Sequence, residues 1–282
     1  MRQKLHKNTR LAFIGCGVMA ESMIAGLLRQ KIVAPSQIVA SHPREDRRRE
    51  LRERYAIEAH KSNAVAVRSL PEKNSVVLLT VKPQRLKAVL SDLDGAVRPE
   101  HLVISIVAGA RIGKLSEALK NDLIVRAMPN TPSQIGKGIT AWTCSESVNK
   151  AHRQQVGTML AALGSELHVE TENMIDMATS LSATGPTYIF MVMEAMTDAG
   201  VHLGFSRDMA KELVQETMLG SVLFAMESHK HPAELRNMVT SPGGTSAAAI
   251  YQMEKGTLRT VLSKAIHAAY KRAVELGKDG ER

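Results

Sequence analysis

The stretch VTSPGGTSAAAIYQME, residues 239–254, sets Ser241, Thr245 and Ser246 around a Pro-Gly-Gly turn directly before an alanine-rich run. Such a turn brings backbone N–H groups and hydroxyls to a helix start, where unpaired donors favour an anion. A capped surface loop would use the same residues, so the turn alone leaves both readings open. A second glycine motif lies near the N-terminus. LAFIGCGVMAESMIAGLLRQ places Gly15, Gly17 and Ala20 between an apolar run and a helical repeat of Met19, Met23, Ile24, Leu27 and Leu28. Gly15 permits a tight turn, Gly17 lets the backbone approach a pyrophosphate, and Ala20 takes the helix-packing position of a dinucleotide fingerprint. The next apolar run ends at Ser41 and continues into His42, Pro43 and Arg44, with no carboxylate for ribose hydroxyls. A hydroxyl and a guanidinium suit a 2′-phosphate, so NADPH is the expected cofactor, with NADH possible. Arg47, Arg48 and Arg49 are interleaved with Glu45, Asp46 and Glu50 and read as a solvated helix face.

The elements that must position these groups fall into two textures. Up to about residue 165, apolar β-branched runs at 11–15, 37–41, 75–81, 102–107, 123–128 and 139–143 alternate with helix-length segments. That pattern predicts a parallel sheet covered on both faces. Beyond residue 170 the apolar spacing is helical, over 173–203, 207–228, 244–253 and 257–277. The fold class is therefore α/β: a Rossmann-type parallel-sheet domain over 1–168, then an all-helical domain over 169–282. The methionine-rich helices of the second half read as core or subunit interface.

Composition narrows the function classes. Hydrophobic residues at 44% and charged ones at 23% are ordinary for a soluble globular chain. The net charge of +9 includes Arg2, Lys4, Lys7 and Arg10, read as a solvated leader. With aromatics at 3% there is little to stack on bases, so no nucleic-acid partner is expected. Cys16 and Cys144 cannot form a disulfide framework, and no Cys/His cluster has metal-ligand spacing, so no metal is expected. No apolar run reaches the length of a membrane span, and the expected location is the cytoplasm. Three smaller readings concern single side chains. Lys82 reads as a cofactor contact or a solvated strand-end lysine, and Asn130 as a turn residue or a cleft residue. Glu194 and Asp198, one helical turn apart, read as partners for surface cations.

VLLTVKP (77–83), RAMPNTP (126–132), LSATGPTYIF (181–190) and HPAELRNMVTSPGGTSAAAIYQME (231–254), in that order, make the chain resemble the pyrroline-5-carboxylate reductases from about residue 10 to 278. The resemblance implies reduction of L-1-pyrroline-5-carboxylate to L-proline by NAD(P)H. It also implies a helical dimerisation domain interlocked with a second subunit, active sites at that interface, and a homodimer or dimer-based decamer. Cofactor contacts carried over are Gly15, Cys16, Gly17, Val18, Met19, Ser41, His42, Arg44, Asn63, Thr80, Val81, Lys82 and Ala108. Substrate contacts are Ser241, Gly243, Gly244, Thr245 and Ser246, with Ser246 or Thr245 meeting the imine nitrogen. The family usually has Thr at 246, and Gly-Ser-Gly-Pro-Ala where residues 183–187 read Ala-Thr-Gly-Pro-Thr. These departures leave two alternatives open: another small cyclic imine as substrate, or a non-catalytic nucleotide-binding relative.

Overall fold

The computed structural model describes residues 5–278. The chain first lays down β1 (Arg10–Ile14), α1 (Val18–Arg29), β2 (Ile38–Ser41), α2 (Glu45–Tyr55), β3 (Glu58–His60), α3 (Asn63–Arg68) and β4 (Ser75–Leu79). There follow α4 (Pro83–Asp92), β5 (Leu102–Ser105), α5 (Ile112–Leu119), β6 (Ile124–Met128), β7 (Gly138–Cys144), α6 (Lys150–Leu160) and β8 (Gly164–His168). The strands form one sheet in the order β3-β2-β1-β4-β5-β6-β7-β8, and only β7 against β6 is antiparallel. Alternation along each central strand supplies both faces. Leu11, Phe13, Val76 and Leu78 enter one core, while Ala12, Ile14, Val77 and Leu79 enter the other. A strand buried on both sides needs a continuous apolar run, which β1, β4 and β5 have. The chain turns back between β1 and β4, and this switch point opens a crevice at the carboxyl ends of the strands.

The helical part contains α7 (Glu172–Ala178), α8 (Gly185–His202), α9 (Arg207–Ser228), α10 (Pro232–Met238), α11 (Thr245–Lys255) and α12 (Leu258–Lys278). A helix expected unbroken over 173–203 is interrupted by a π-turn at Thr179–Ala183. Hydroxyls cause and satisfy the break: Thr179, Ser182 and Thr184 donate to the carbonyls of Ile175, Ala178 and Thr179 at 2.7, 2.9 and 2.9 Å. Two compact units result, one running through Thr184 and resuming at Ala269, the other Gly185–Ala268. By compactness the chain divides at 184/185, whereas the sequence pattern divides it at 168/169. α7 belongs to the sheet because Asp176, 2% exposed at its side chain, accepts from Arg126 of β6 at 2.6 Å. In the second unit α8 and α9 pack closely, a Cβ added at Gly200 lying 2.9 Å from Ala210 Cβ.

Arg10 is not part of a solvated leader. It opens β1 half-buried, Nη1 donating to the Lys7 carbonyl at 3.2 Å. Arg2 and Lys4 lie outside the described residues. Among the described residues no helix is long and apolar enough to cross a membrane, and no His/Cys/Asp/Glu group could hold a metal ion.

Candidate active site

β1 delivers the glycine loop to the switch point. Gly15 has φ +83°, and a Cβ there would sit 2.1 Å from Val81 Cγ1, so both backbone and space demand glycine. The loop is held from two strands. The N–H groups of Gly15 and Cys16 donate to the Ser41 carbonyl at 3.2 and 3.1 Å, and Thr80 Oγ1 donates to the Ile14 carbonyl at 2.9 Å. Gly17 caps α1, and a Cβ added there would meet nothing within 4 Å. No side chain caps α1. Its first N–H groups therefore face an open cradle suited to a pyrophosphate, beside exposed Val18 and half-buried Met19. Cys16 points inward, and burial pushes its thiol up to about 12.

At the end of β2 the expected contacts separate. Ser41 is fully buried, and its hydroxyl is committed internally: it donates to Asn63 Oδ1 at 2.8 Å. Asn63 in turn donates to Asp92 at 3.1 Å. Exposed Arg44 and half-buried His42 remain at the surface of the strand end. Burial, then the Arg44 charge, holds His42 below its usual 6.5, so its neutral ring accepts from the Arg44 N–H at 3.3 Å. No carboxylate in this sequence position competes for a 2′-phosphate; the nearest acid partner of Arg44 is Asp46, at 3.7 Å.

The arginines that follow are not a solvated face. Only Arg49 is exposed; Arg47 and Arg48 are 9% and 7% exposed. Arg47 donates from Nε to the Cys16 carbonyl at 3.3 Å, pairs with Glu21 of α1, and reaches Glu50 at 2.5 Å. Burial would lower the Arg47 pKa, but the hydrogen bonds to Glu21 and Glu50 outweigh it and raise it. Tyr55 and Arg54 also reach Glu21, both at 2.7 Å. Mixed charges in sequence do not reveal which cations curl back onto carbonyls, so this cluster was invisible before folding.

Lys82 is exposed at the N-cap of α4, beyond the end of β4 at Leu79, and Ala108 is half-buried after β5. A groove of about 810 Å³ between α4, α5 and the last turns of α12 includes Ala108 but none of the other expected cofactor residues. Asn130 is structural: its amide oxygen accepts from Ile139 N–H at 2.9 Å and its nitrogen donates to the Ser182 carbonyl at 3.3 Å. Asp198 pairs with Arg207 at 2.9 Å. A buried ionic cluster, also unread in the sequence, joins Arg126 to Glu172 and Asp176, with Arg111 on Asp176 at 3.4 Å.

In the second unit, Gly243 takes φ +70° and Gly244 caps α11 with no side-chain cap. The Gly244 N–H is used within the turn, donating to the Ser241 carbonyl at 3.1 Å. That N–H is thus engaged, whereas the N–H groups of Thr245 and Ser246, in the first turn of α11, have no intrahelical acceptor. Thr245 is exposed and Ser246 half-buried.

Residues 172–276 match the family described as pyrroline-5-carboxylate reductase dimerisation, and residues 10–109 one described as NADP oxidoreductase, coenzyme F420-dependent. The chain is 41% identical to pyrroline-5-carboxylate reductase of Pseudomonas aeruginosa over 95% of its length and 97% of the relative's. It is 38% identical to that of Synechocystis, over 95% and 98%. Among solved structures, a pyrroline-5-carboxylate reductase from Coxiella burnetii superposes with TM-score 0.86 at 34% identity, covering 96% of this chain and 99% of that one. The Plasmodium falciparum pyrroline carboxylate reductase with NADP bound also gives TM-score 0.86, at 28% identity over 96% and 99%. A glycine cradle at a Rossmann switch point, a separate helical unit with its Pro-Gly-Gly-Thr-Ser turn, and this likeness along nearly the whole chain lead to one conclusion: the chain belongs to the pyrroline-5-carboxylate reductase family.

Proposed function

We propose that the chain reduces L-1-pyrroline-5-carboxylate to L-proline with NADPH, NADH being the weaker alternative, as the last step of proline synthesis in the cytoplasm. The observation that carries this reading is the start of α11, without a side-chain cap behind the Gly243–Gly244 turn, where unpaired N–H groups suit an anion in a chain of this family. The nucleotide cradle fits its cofactor on the same grounds. Gly17 leaves open space, α1 begins without a cap, and β2 ends in Arg44 with no acid in the ribose position.

When bound, NADPH supplies the hydride that adds to the imine carbon. The chain's own residues do the rest. Thr245 and Ser246 N–H groups hold the carboxylate, which fixes the ring without distorting it. The Ser246 hydroxyl meets the ring nitrogen as it passes from iminium to amine. Protonation of that nitrogen already activates the carbon, so positioning and preorganised dipoles account for the acceleration. Serine in place of the family's threonine keeps the hydroxyl and loses the methyl that restricts its rotamers. We further infer a homodimer, or a decamer built from five such dimers, because the second unit exposes apolar faces too extensive for a lone chain.

NADPH consumption with pyrroline-5-carboxylate tests the reading, and no turnover would refute it. Ser246→Ala is expected to lower kcat/KM by about tenfold to a thousandfold, leaving NADPH affinity in place. Unchanged kinetics would move the nitrogen contact to Thr245.

A further inference from the structure

Arg48 stands in the first turn of α2, where a cation opposes the helix dipole, yet it is 7% exposed. Its Nη1 donates to the carbonyls of His42 and Pro43, each at 2.7 Å, and its Nη2 pairs with Glu45. These carbonyls belong to the two residues immediately before Arg44. The brace is itself anchored. Glu45 also receives Arg52 at 3.0 Å, and Arg52 donates to the Ala59 carbonyl on β3 at 2.7 Å. From the other side, the His42 N–H donates to the His60 carbonyl at 3.0 Å, and the Arg44 N–H to His42 Nδ1. The backbone of 42–44 is therefore tied at every step, while the Arg44 side chain is 67% exposed and, among the described residues, held only by the 3.7 Å contact with Asp46.

We propose that Arg48 is a specificity-positioning residue: it braces the His42–Pro43 backbone so that Arg44 is presented to the 2′-phosphate, and thereby sets the preference for NADPH over NADH. The proposal rests on the NADPH reading above. It follows from cost: a flexible loop must be ordered when the phosphate binds, and a loop already ordered spares that entropy. NADH has no 2′-phosphate for Arg44 to meet, so the brace gives it no advantage. Only a fork of donors can serve two adjacent carbonyls and a carboxylate together, which is why lysine is a poor substitute.

The test is the ratio of kcat/KM for NADPH to that for NADH in Arg48→Met, Arg44→Ala and the double variant of the full-length enzyme. Arg48→Met should lower the ratio about tenfold by loss on the NADPH side, with NADH changed less than about twofold. The double variant should lower it no further than Arg44→Ala alone, since Arg48 acts through Arg44. Arg48→Lys should fall between wild type and Arg48→Met, and it carries the same comparison should the methionine variant fail to fold. Equal losses with both nucleotides, or multiplicative effects in the double variant, would overturn the proposal. An Arg44→Ala ratio equal to wild type would overturn the 2′-phosphate reading and this proposal with it. A ratio shifted in Arg44→Ala but not at position 48 would overturn this proposal alone.

Discussion

The sheet unit and the helical unit bury their apolar side chains to very different degrees. In the first, both faces of the sheet are filled, and Leu11, Phe13, Ile14, Leu78 and Leu79 are fully inaccessible. In Gly185–Ala268 the buried apolar side chains are Ala210 and Val214, among the described residues. Leu203 there is 83% exposed, Met226 67%, Phe190 58% and Phe224 49%. Each large apolar side chain left in water forgoes about 1.5–3 kcal/mol of burial. The difference teaches that the sheet unit fills its own core, whereas the helical unit leaves much of its apolar surface uncovered.

A charge placed on the exposed apolar face should break this contrast most severely. Phe224→Asp is expected to reduce the sedimenting mass to that of one chain and activity by more than about a hundredfold, because a carboxylate would have to be desolvated in the interface. NADPH binding, measured by fluorescence, should stay within about threefold, since unit one does not depend on that face. Loss of both would mean the units are not independent in this sense. Next in size is Asp176→Ala. It leaves Arg126, 1% exposed at its side chain, short of its closest carboxylate, and should cost the sheet unit about 3 kcal/mol in urea unfolding. A change much below that would mean the ion cluster does not hold α7 to the sheet.

The smallest effect concerns acid. Burial holds His101 below its usual 6.5, and its neutral ring accepts the Arg98 N–H on Nδ1 and faces the Pro71 carbonyl with Nε2. His42 and His152 are lowered by burial as well. The unfolded chain therefore takes up protons first. Stability is complete above pH 6.5 and is lost as pH falls from there through the lower folded values. The loss is expected to come chiefly from the fully buried His101, and His101→Asn should flatten the slope. A profile flat below pH 6.5 in the wild type would contradict the assignment.

How much was readable depended on where the information sits. β1, β4, β5 and β6 announce themselves as β-branched runs because both of their faces are buried. β3, with Glu58-Ala59-His60, and β8, with Gly164-Ser165-Glu166-Leu167-His168, lie at the edges of the sheet and carry no such run. The π-turn escaped notice because hydroxyl back-bonding at Thr179, Ser182 and Thr184 leaves the apolar spacing intact. The short α10 was likewise hidden within a motif read for its turn. At the site, the glycines were legible from spacing, since one residue type answers one backbone need. The commitments of Ser41, Arg47 and Arg48 were not, because each depends on carbonyls and acids brought close only by the sheet.

Cys16 adds a chemical consequence. Peroxides and alkylating agents attack thiolates, and this thiol is enclosed and keeps its proton up to about 12. The nucleotide loop is thus built around a sulfur that oxidants and electrophiles pass by, and the rate at which a thiol reagent finally labels Cys16 becomes a clock for the opening of the sheet.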